Sequence, residues 1–282
     1  MIAVGFLVAY DFEYLKYALP SIYAAADKII LAIDLNRNTL TGEKFHFDDS
    51  FKQWVQHEDV NSKIEWLEKP FYQTGQSPLE TIMYMRNQLL DAMRPADWYI
   101  QIDADEYFLD FSSFVNELQR LPCNSGPTVV YCYWKTIFKK LGHQYLLIAG
   151  NPEAFPVATN RPFNTSERNI DNAEKIQCKQ FVLHQSWARS EQEIAKKINS
   201  WSHAQDFDTV DFFHRWQAVN GWNYKLYRYF HPLHAPIWPY LERVQADSIP
   251  ALIEHYRHQP PVEQPLPALS WPQKVLKKIL GI

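Results

Sequence analysis

The sequence predicts an α/β fold with a mixed, mostly parallel sheet that helices flank. Two stretches predict this fold. Residues 2–33 show the pattern of strand, helix and strand in succession, a unit that joins parallel strands. Residues 77–103 then show a capped helix followed by a short buried strand. A chain of 282 residues with 46% hydrophobic and 21% charged residues is ample for one such domain plus an appendage.

The first third of the chain supplies the predicted strands of this sheet. Apolar runs predict strands from Ile2 to Ala9 and from Lys28 to Ile33, joined by a helix from Asp11 to about Ala26. An insertion at residues 36–62 follows, with a short helix from Asp49 to Gln56. Three further residues predict the next strand, namely Ile64, Trp66 and Leu67.

A helix with a strong start signal leads into the most informative stretch. Ser77 and Glu80 form a capping box with Pro78 at the first helical position. Apolar residues follow at helical spacing, namely Ile82, Met85, Leu89 and Met93. After Pro95, the run 98–102 is aromatic and β-branched and predicts a buried strand.

That strand ends in three carboxylates, Asp103, Asp105 and Glu106. Asp103 and Asp105 are two residues apart, so they emerge on one side of the chain at the edge where open α/β sheets bind ligands. Clustered carboxylates repel one another and are costly to desolvate, and a hard divalent cation would relieve both costs. The alternative is that these residues only cap the helix that follows.

The sequence also predicts helices and strands in the rest of the chain. A helix is predicted from Asp110 or Ser112 through Leu121, and a long strand from Thr128 to Phe138. Residues 139–175 are predicted to be irregular. They hold four charged residues among which sequence does not choose, namely Glu153, Glu167, Arg168 and Asp171. Later elements are a strand from Lys175 to Leu183, a helix opened by the capping box Ser190–Glu193, a helix from Asp208 to Val219, and an aromatic, basic wall or lid at 222–238.

Several of these residues carry a resemblance to a known family. Arg86-Asn87, Asp97-Trp98-Tyr99-Ile100 and Asp103-Ala104-Asp105-Glu106 resemble a stretch of glycosyltransferases of the GT-A fold, particularly family 2. A later segment is similar to one that follows the catalytic core in some members, through His184, Arg189, Ser190, Glu193, Lys197, Trp201 and His203. The resemblance implies a GT-A (Rossmann-like) domain at 1–205, with a nucleotide-sugar half at about 1–108 and an acceptor half at 109–205. A helical or irregular extension at 206–258 and a Pro-rich linker and tail at 259–282 complete the chain.

The resemblance also implies roles for individual residues. Ala9 and Tyr10 would line the nucleoside pocket, and Asp34 would bond the base, although the turn at 34–38 departs from the family pattern. Arg86 and Lys197 would contact the diphosphate. Asp103 would contact ribose or a metal-bound water, and Mn²⁺ or Mg²⁺ would be held by Asp105, by Asp103 and by His184. The alternatives are a plain turn at Asp34, an exposed Arg86, a packed His184, and an ion pair between Lys197 and Glu193.

The function implied is metal-dependent transfer of a sugar from a nucleoside diphosphate sugar, with UDP expected, to a hydroxyl of a glycan or lipid-linked acceptor in surface polysaccharide synthesis. An inverting enzyme needs a base, for which Glu106 and Asp171 are the candidates, and a retaining enzyme does not. A nucleotidyltransferase is the rival enzyme class, but the acidic, glycine-free turn at 10–13 counts against it. A carbohydrate-binding protein is the non-catalytic rival.

Composition and the chain end set the expected partners and location. A net charge of −4 and a pI near 6.2 argue against nucleic acid as a partner. Three cysteines without a C-x-x-C motif, no leader sequence and no span-length apolar run indicate a cytoplasmic protein. The tail at 271–282 is basic and amphipathic, which suits peripheral contact with the anionic inner face of the membrane, or docking on a partner or on the domain itself.

Overall fold

The computed structural model describes residues 1–121, 126–150, 152–200, 206–258 and 266–280, with the side chains of 199, 200 and 280 left out of the description. The chain divides into two compact units. The first comprises Met1–Cys132 and Ala154–Gln180, and the second comprises Tyr133–Glu153 and Phe181–Ile282. Both units are α/β, and two long strands run from the first unit into the second.

The sheet of the first unit has a parallel half. Its strands β1 (Ile2–Val8), β2 (Lys28–Asp34), β3 (Ile64–Lys69) and β4 (Trp98–Asp103) lie in the order β3-β2-β1-β4. Val8 pairs with Ile33, and Leu7 pairs with Asp103. The residues after β1, the end of β2 and the end of β4 therefore share one edge. Strand β8 (Glu153–Thr159) joins β4 antiparallel, which confirms a mixed sheet.

Helices cover this sheet. They are α1 (Leu15–Ile22), α2 (Asp49–Glu58), α3 (Pro78–Ala92) and α4 (Phe111–Arg120), and a short strand β5 (Glu106–Phe108) follows the acidic turn. Helix α3 packs closely on β1, since a Cβ added at Gly5 would lie 2.7 Å from Leu89. Only glycine permits this approach. The core beneath α3 contains Ala3, Ile30, Leu89, Met93 and Tyr99.

The second unit contains the remaining strands and helices. Strand β6 (Thr128–Leu141) begins in the first unit, and its later residues pair antiparallel with β7 (Gln144–Ala149), which pairs with β10 (Tyr240–Gln245). Strand β9 (Glu174–His184) also ends in this unit. The helices are α5 (Glu191–Ser200), α6 (Thr209–Ala218), α7 (Ile249–His258) and α8 (Trp271–Leu280). Aromatic residues dominate its core, including Trp187, Phe212, Trp216 and Trp238.

Most predicted elements are confirmed, and two expectations are wrong. Both capping boxes form, since Ser77 and Ser190 bond Glu80 and Glu193 reciprocally. The predicted helix at 11–26 is shorter, because a 3₁₀ turn precedes Leu15 and the chain leaves the helix after Ile22. Residues 139–175 are not irregular throughout, since they contain β7 and β8. These strands were not predicted because Pro156 lies inside β8 and because the turn at Gly142 looks in the sequence like the start of an irregular stretch.

The C-terminal part of the chain contains more regular structure than expected. The extension at 206–258 adds strand β10 and helix α7 to the predicted helix at 208–219. The tail at 271–280 is helical, as its amphipathic pattern predicts. Trp201, His203 and residues 259–265 lie outside the described residues. The domain boundaries drawn from the resemblance stay a prediction.

Two findings bear on the expected environment of the chain. Within the described ranges, none of the helices combines the length and apolar character that crossing a bilayer demands. Cys132 and Cys178 are buried free thiols, and Cys123 lies outside the described residues.

Lys139 fixes the end of α6, and its replacement gives a first test of the fold. Its Nζ donates to the carbonyls of Trp216, Gln217 and Val219 at 2.7, 2.9 and 2.8 Å. Lys139→Met is expected to lower the free energy of unfolding by about 1–2 kcal/mol, because three carbonyls at a helix C-terminus lose a cationic donor. Urea unfolding measures this. The neighbouring Lys140 is exposed, and an equal loss in Lys140→Met would contradict this role.

Candidate functional site

The candidate site lies where the parallel strands of the first unit end. Asp34 is the last residue of β2, Asp103 is the last residue of β4, and Ala9 and Tyr10 follow β1. The strand register brings these ends to the same edge. This edge of an open α/β sheet is the usual ligand-binding edge.

Asp103 is the accessible carboxylate of the acidic turn. Its side chain is 33% exposed, whereas Asp105 and Glu106 are buried. The backbone N–H of Asp103 donates to Glu106 Oε2 at 2.9 Å, which closes the turn. The turn therefore presents one carboxylate and keeps two beneath it.

Arg168 is paired with two of these carboxylates. Its Nη1 and Nη2 donate to Oε2 and Oε1 of Glu106, both at 3.0 Å, and its Nη2 also bonds Asp103 Oδ2. The side chain of Glu106 is 0% exposed, and burial raises the pKa of this carboxyl to about 7 against the lowering effect of Arg168. The pKa of Arg168 is raised, because the attraction of Asp103 and Glu106 outweighs its own burial. The bidentate ion pair between Arg168 and Glu106 forms the buried floor of the site.

Arg86 holds Asp103 from the other side. Its Nη2 donates to Asp103 Oδ1 at 3.1 Å and to Oδ2 at 3.3 Å. Burial lowers the pKa of Arg86, and Asp103 is the main influence that raises it. The Nε and Nη1 of Arg86 are buried and have no hydrogen-bond partner within the described ranges. Buried donors without a partner are rare, so this guanidinium has unused capacity for a ligand oxygen.

The loop that carries Arg168 is fastened to α3 by the residue next to Arg86. Asn87 Oδ1 accepts from the backbone N–H of Asn164 at 2.7 Å, and Asn87 Nδ2 donates to the Asn164 carbonyl at 3.3 Å. Within the loop, the backbone N–H of Asn169 bonds the carbonyl of Ser166, and Glu167 adopts a φ of 35°. Consecutive residues of α3 thus position both arginines of the site.

The carboxylate of Asp34 accepts hydrogen bonds from backbone N–H groups of two loops. Its Oδ1 accepts from the backbone N–H groups of Asn36 and Asn38 at 2.9 and 3.0 Å, and its Oδ2 accepts from those of Phe71 and Tyr72 at 2.8 and 3.0 Å. The residue is buried. The carboxylate therefore ties the turn after β2 to the loop after β3, and its predicted bond to a base stays a prediction.

The structure describes other contacts for the remaining predicted residues. Asp171 is exposed, and its backbone N–H donates to Thr165 Oγ1 at 2.7 Å. His184 ends β9 in the second unit, where its ring lies 4.7 Å from that of Trp134. Lys197 lies on α5 in the same unit and donates to Ser186 Oγ at 3.0 Å. The proposed roles of these residues stay predictions.

The acidic turn is compatible with a divalent metal in ligand type. Asp103 and Asp105 supply carboxylate oxygens, which Mg²⁺ and Mn²⁺ prefer, and such ions are often held by one or two carboxylates plus substrate phosphates. In the part of the chain that the structure describes, no group of three His, Cys, Asp or Glu side chains is arranged to hold a metal alone.

Two residues of the site were missed by sequence reasoning. Arg168 lies in a stretch where no pattern selects it, 62 positions from Glu106. Asn87 was part of the family resemblance but received no role. A charge argument would have predicted that a cation from elsewhere compensates the buried acidic turn, but not that this cation is Arg168.

No protein-family model and no curated protein matches this sequence. Solved structures similar to the chain include HddC from Yersinia pseudotuberculosis, with 11% identity, 65% of this chain and 93% of that chain covered, and a TM-score of 0.36. TarS 1-349 from S. aureus has 11% identity, 75% and 68% coverage, and a TM-score of 0.41. TarS 1-349 in complex with UDP-GlcNAc has 13% identity, 50% and 36% coverage, and a TM-score of 0.35. Because these identities and TM-scores are low, the reaction of this chain is inferred below from its site residues.

Proposed function

We propose that this chain is a metal-dependent glycosyltransferase that moves a sugar from a nucleoside diphosphate sugar to a hydroxyl group. One observation carries the proposal. Asp103, a partly exposed carboxylate at the carboxyl ends of parallel strands, is held between two buried arginines. A fixed charge at this edge suits a polar ligand, because its orientation costs little on binding. The residues around it also carry the resemblance to the GT-A family.

The site residues take distinct roles in this proposal. Asp103 accepts hydrogen bonds from the ribose hydroxyls of the nucleotide. Arg86, whose Nε and Nη1 have no partner within the described ranges, donates to a diphosphate oxygen. Arg168 and Asn87 are positioning residues that keep Asp103 and the loop at 164–169 in place. Ala9 and Tyr10 line the nucleoside, and Asp34 shapes the pocket through the loops that it joins.

Asp105, with Asp103, would hold the Mn²⁺ or Mg²⁺. A metal bound there would neutralise the charge that develops on the departing diphosphate. Glu106 is bound to Arg168 at zero exposure, so we assign it to positioning rather than to proton transfer. Asp171, which is exposed, is then the remaining candidate base if the reaction inverts. The acceptor proposed is a hydroxyl of a glycan or lipid-linked glycan of a surface polysaccharide.

A thermal-shift experiment with UDP and GDP, with and without Mn²⁺, tests the donor site. A nucleotide at about 100 times its Kd is expected to stabilise the protein by about 2.7 kcal/mol, which raises the Tm by about 5 °C. The shift should need Mn²⁺ and should be lost in Asp105→Ala. Asp103→Asn, which keeps the shape of a partly exposed residue, should weaken nucleotide binding by about 10- to 100-fold.

Asp91→Ala is the matched control, because Asp91 is an exposed carboxylate of α3 paired with Arg94. It should keep the full shift. A wild-type protein that no nucleotide stabilises would contradict the proposal and favour the carbohydrate-binding alternative. A shift that is independent of Mn²⁺ and of Asp105 would contradict the metal.

A further inference from the structure

Helix α8 and the 3₁₀ turn at Tyr224–Leu226 belong to the second unit, and the proposed function uses neither. Helix α8 packs against this turn. The segment before α8 is held by Arg228, whose Nη2 donates to the carbonyl of Pro267 at 3.2 Å. The helix is therefore seated on its own unit.

The orientation of α8 is the reverse of the usual one. Trp271 is 77% exposed and Ile279 is 73% exposed. The half-buried side chains are polar, namely Gln273 and Lys277, and the pKa of Lys277 is lowered by burial and then by Arg228. An amphipathic helix that packs on its own domain normally turns its apolar face to the core. This helix keeps its apolar face outside.

The charge of α8 indicates what would cover that face. The helix carries Lys274, Lys277 and Lys278, and residues 266–280 contain no acidic residue. At 3.6 residues per turn, Trp271, Val275 and Ile279 share one side of the helix, and the exposed Lys274 and Lys278 lie beside them. An apolar face flanked by lysines is the pattern of a helix that lies in a lipid interface.

A second exposed tryptophan lies close in sequence to the turn against which α8 packs. Trp222 is 95% exposed. It lies two residues before the 3₁₀ turn against which α8 packs. Tyr229, which follows that turn, is also exposed. Tryptophan and tyrosine are favoured at the boundary between lipid and water, because one end of the ring system is apolar and the other is polar.

We propose that α8 and Trp222 together form a binding surface for an anionic phospholipid bilayer. Helix α8 lies in the interface with Trp271 and Ile279 inserted, its exposed Lys274 and Lys278 contact the phosphate groups, and Trp222 inserts beside it. Charge complementarity favours anionic lipid, since the helix exposes Lys274 and Lys278 and carries no acidic residue. This inference goes beyond the proposed function and does not depend on it.

Co-sedimentation of the full chain with vesicles tests the inference. Vesicles of phosphatidylcholine with about 30% phosphatidylglycerol should bind the protein at least about tenfold more tightly than phosphatidylcholine alone. Lys274→Gln/Lys278→Gln should weaken binding by about 25-fold, because each basic residue near an anionic surface contributes about fivefold. Lys175→Gln/Lys179→Gln removes two exposed lysines of β9 and should leave binding unchanged.

Apolar variants separate insertion from simple charge attraction. Trp271→Ala/Ile279→Ala should weaken binding at least about tenfold with an unchanged Tm, since both side chains are exposed. The control Val60→Ala/Val210→Ala removes two exposed apolar side chains elsewhere and should bind as the wild type does. Equal binding to both vesicle types, or wild-type binding by the α8 variants, would overturn the inference. The inference would also be overturned if the protein did not bind vesicles but self-associated, and if the α8 variants abolished that self-association.

Discussion

Asp34→Asn is expected to lower the free energy of unfolding by about 3–5 kcal/mol, although the two side chains have the same shape. The carboxylate accepts backbone N–H groups on both oxygens. An amide keeps one oxygen and turns an NH₂ group toward two donors at the other position. Two backbone N–H groups then face an NH₂ group in place of their acceptor, and each costs about 1–3 kcal/mol. Guanidinium or urea unfolding measures the loss.

The comparison with Asp48→Asn isolates this effect. Asp48 caps α2, is exposed, and accepts a backbone N–H from Ser50 at 2.8 Å. Its substitution should cost clearly less. If the two variants were equally stable, Asp34 would not be the tie between the loops after β2 and β3. Asp34→Ala should be at least as damaging as Asp34→Asn, because four backbone donors then lose their acceptor.

Arg168→Met is expected to lower the free energy of unfolding by about 3–5 kcal/mol at neutral pH, because it leaves Glu106 buried without its partner. The guanidinium also lies 5.6 Å from the ring of Phe155, a packing contact that methionine partly keeps. Adding Glu106→Gln should recover part of the loss, since it removes the unpaired charge. The exposed Arg120 of α4 provides the control, and Arg120→Met should change stability little.

The loss in Arg168→Met should also depend on pH. Burial raises the pKa of Glu106 from 4.5 to about 7 in the folded protein, so the folded state holds a proton that the unfolded state releases. This contribution to stability is full below about pH 4.5 and is lost as the pH rises through about 7. Without Arg168 the pKa of Glu106 rises further. The deficit of the variant should therefore be smallest near pH 5 and largest near pH 8, and a deficit independent of pH would contradict the assignment.

The local features of the fold followed from sequence because each depends on neighbouring residues. The capping box at Ser77 and the buried strand at 98–103 formed as predicted. The site divided into two parts. The acidic turn was predicted from the pattern of strand and carboxylates, whereas Arg86 was singled out only by the family resemblance. Arg168 was not predicted, because its position depends on a loop that Asn87 holds from 77 positions away. The resemblance gave Asp34 a role in binding the base. The hydrogen-bond donors that its oxygens meet depend on the position of the loop after β3, which sequence does not give.

The separation of these partners has a consequence for synthesis of the chain. Arg168 meets Asp103 across 65 positions and Glu106 across 62, and the segment Tyr133–Glu153 between them belongs to the other unit. On the ribosome, the acidic turn emerges long before the arginine that neutralises it. The first unit can therefore complete its core only after residues 154–180 have been synthesised.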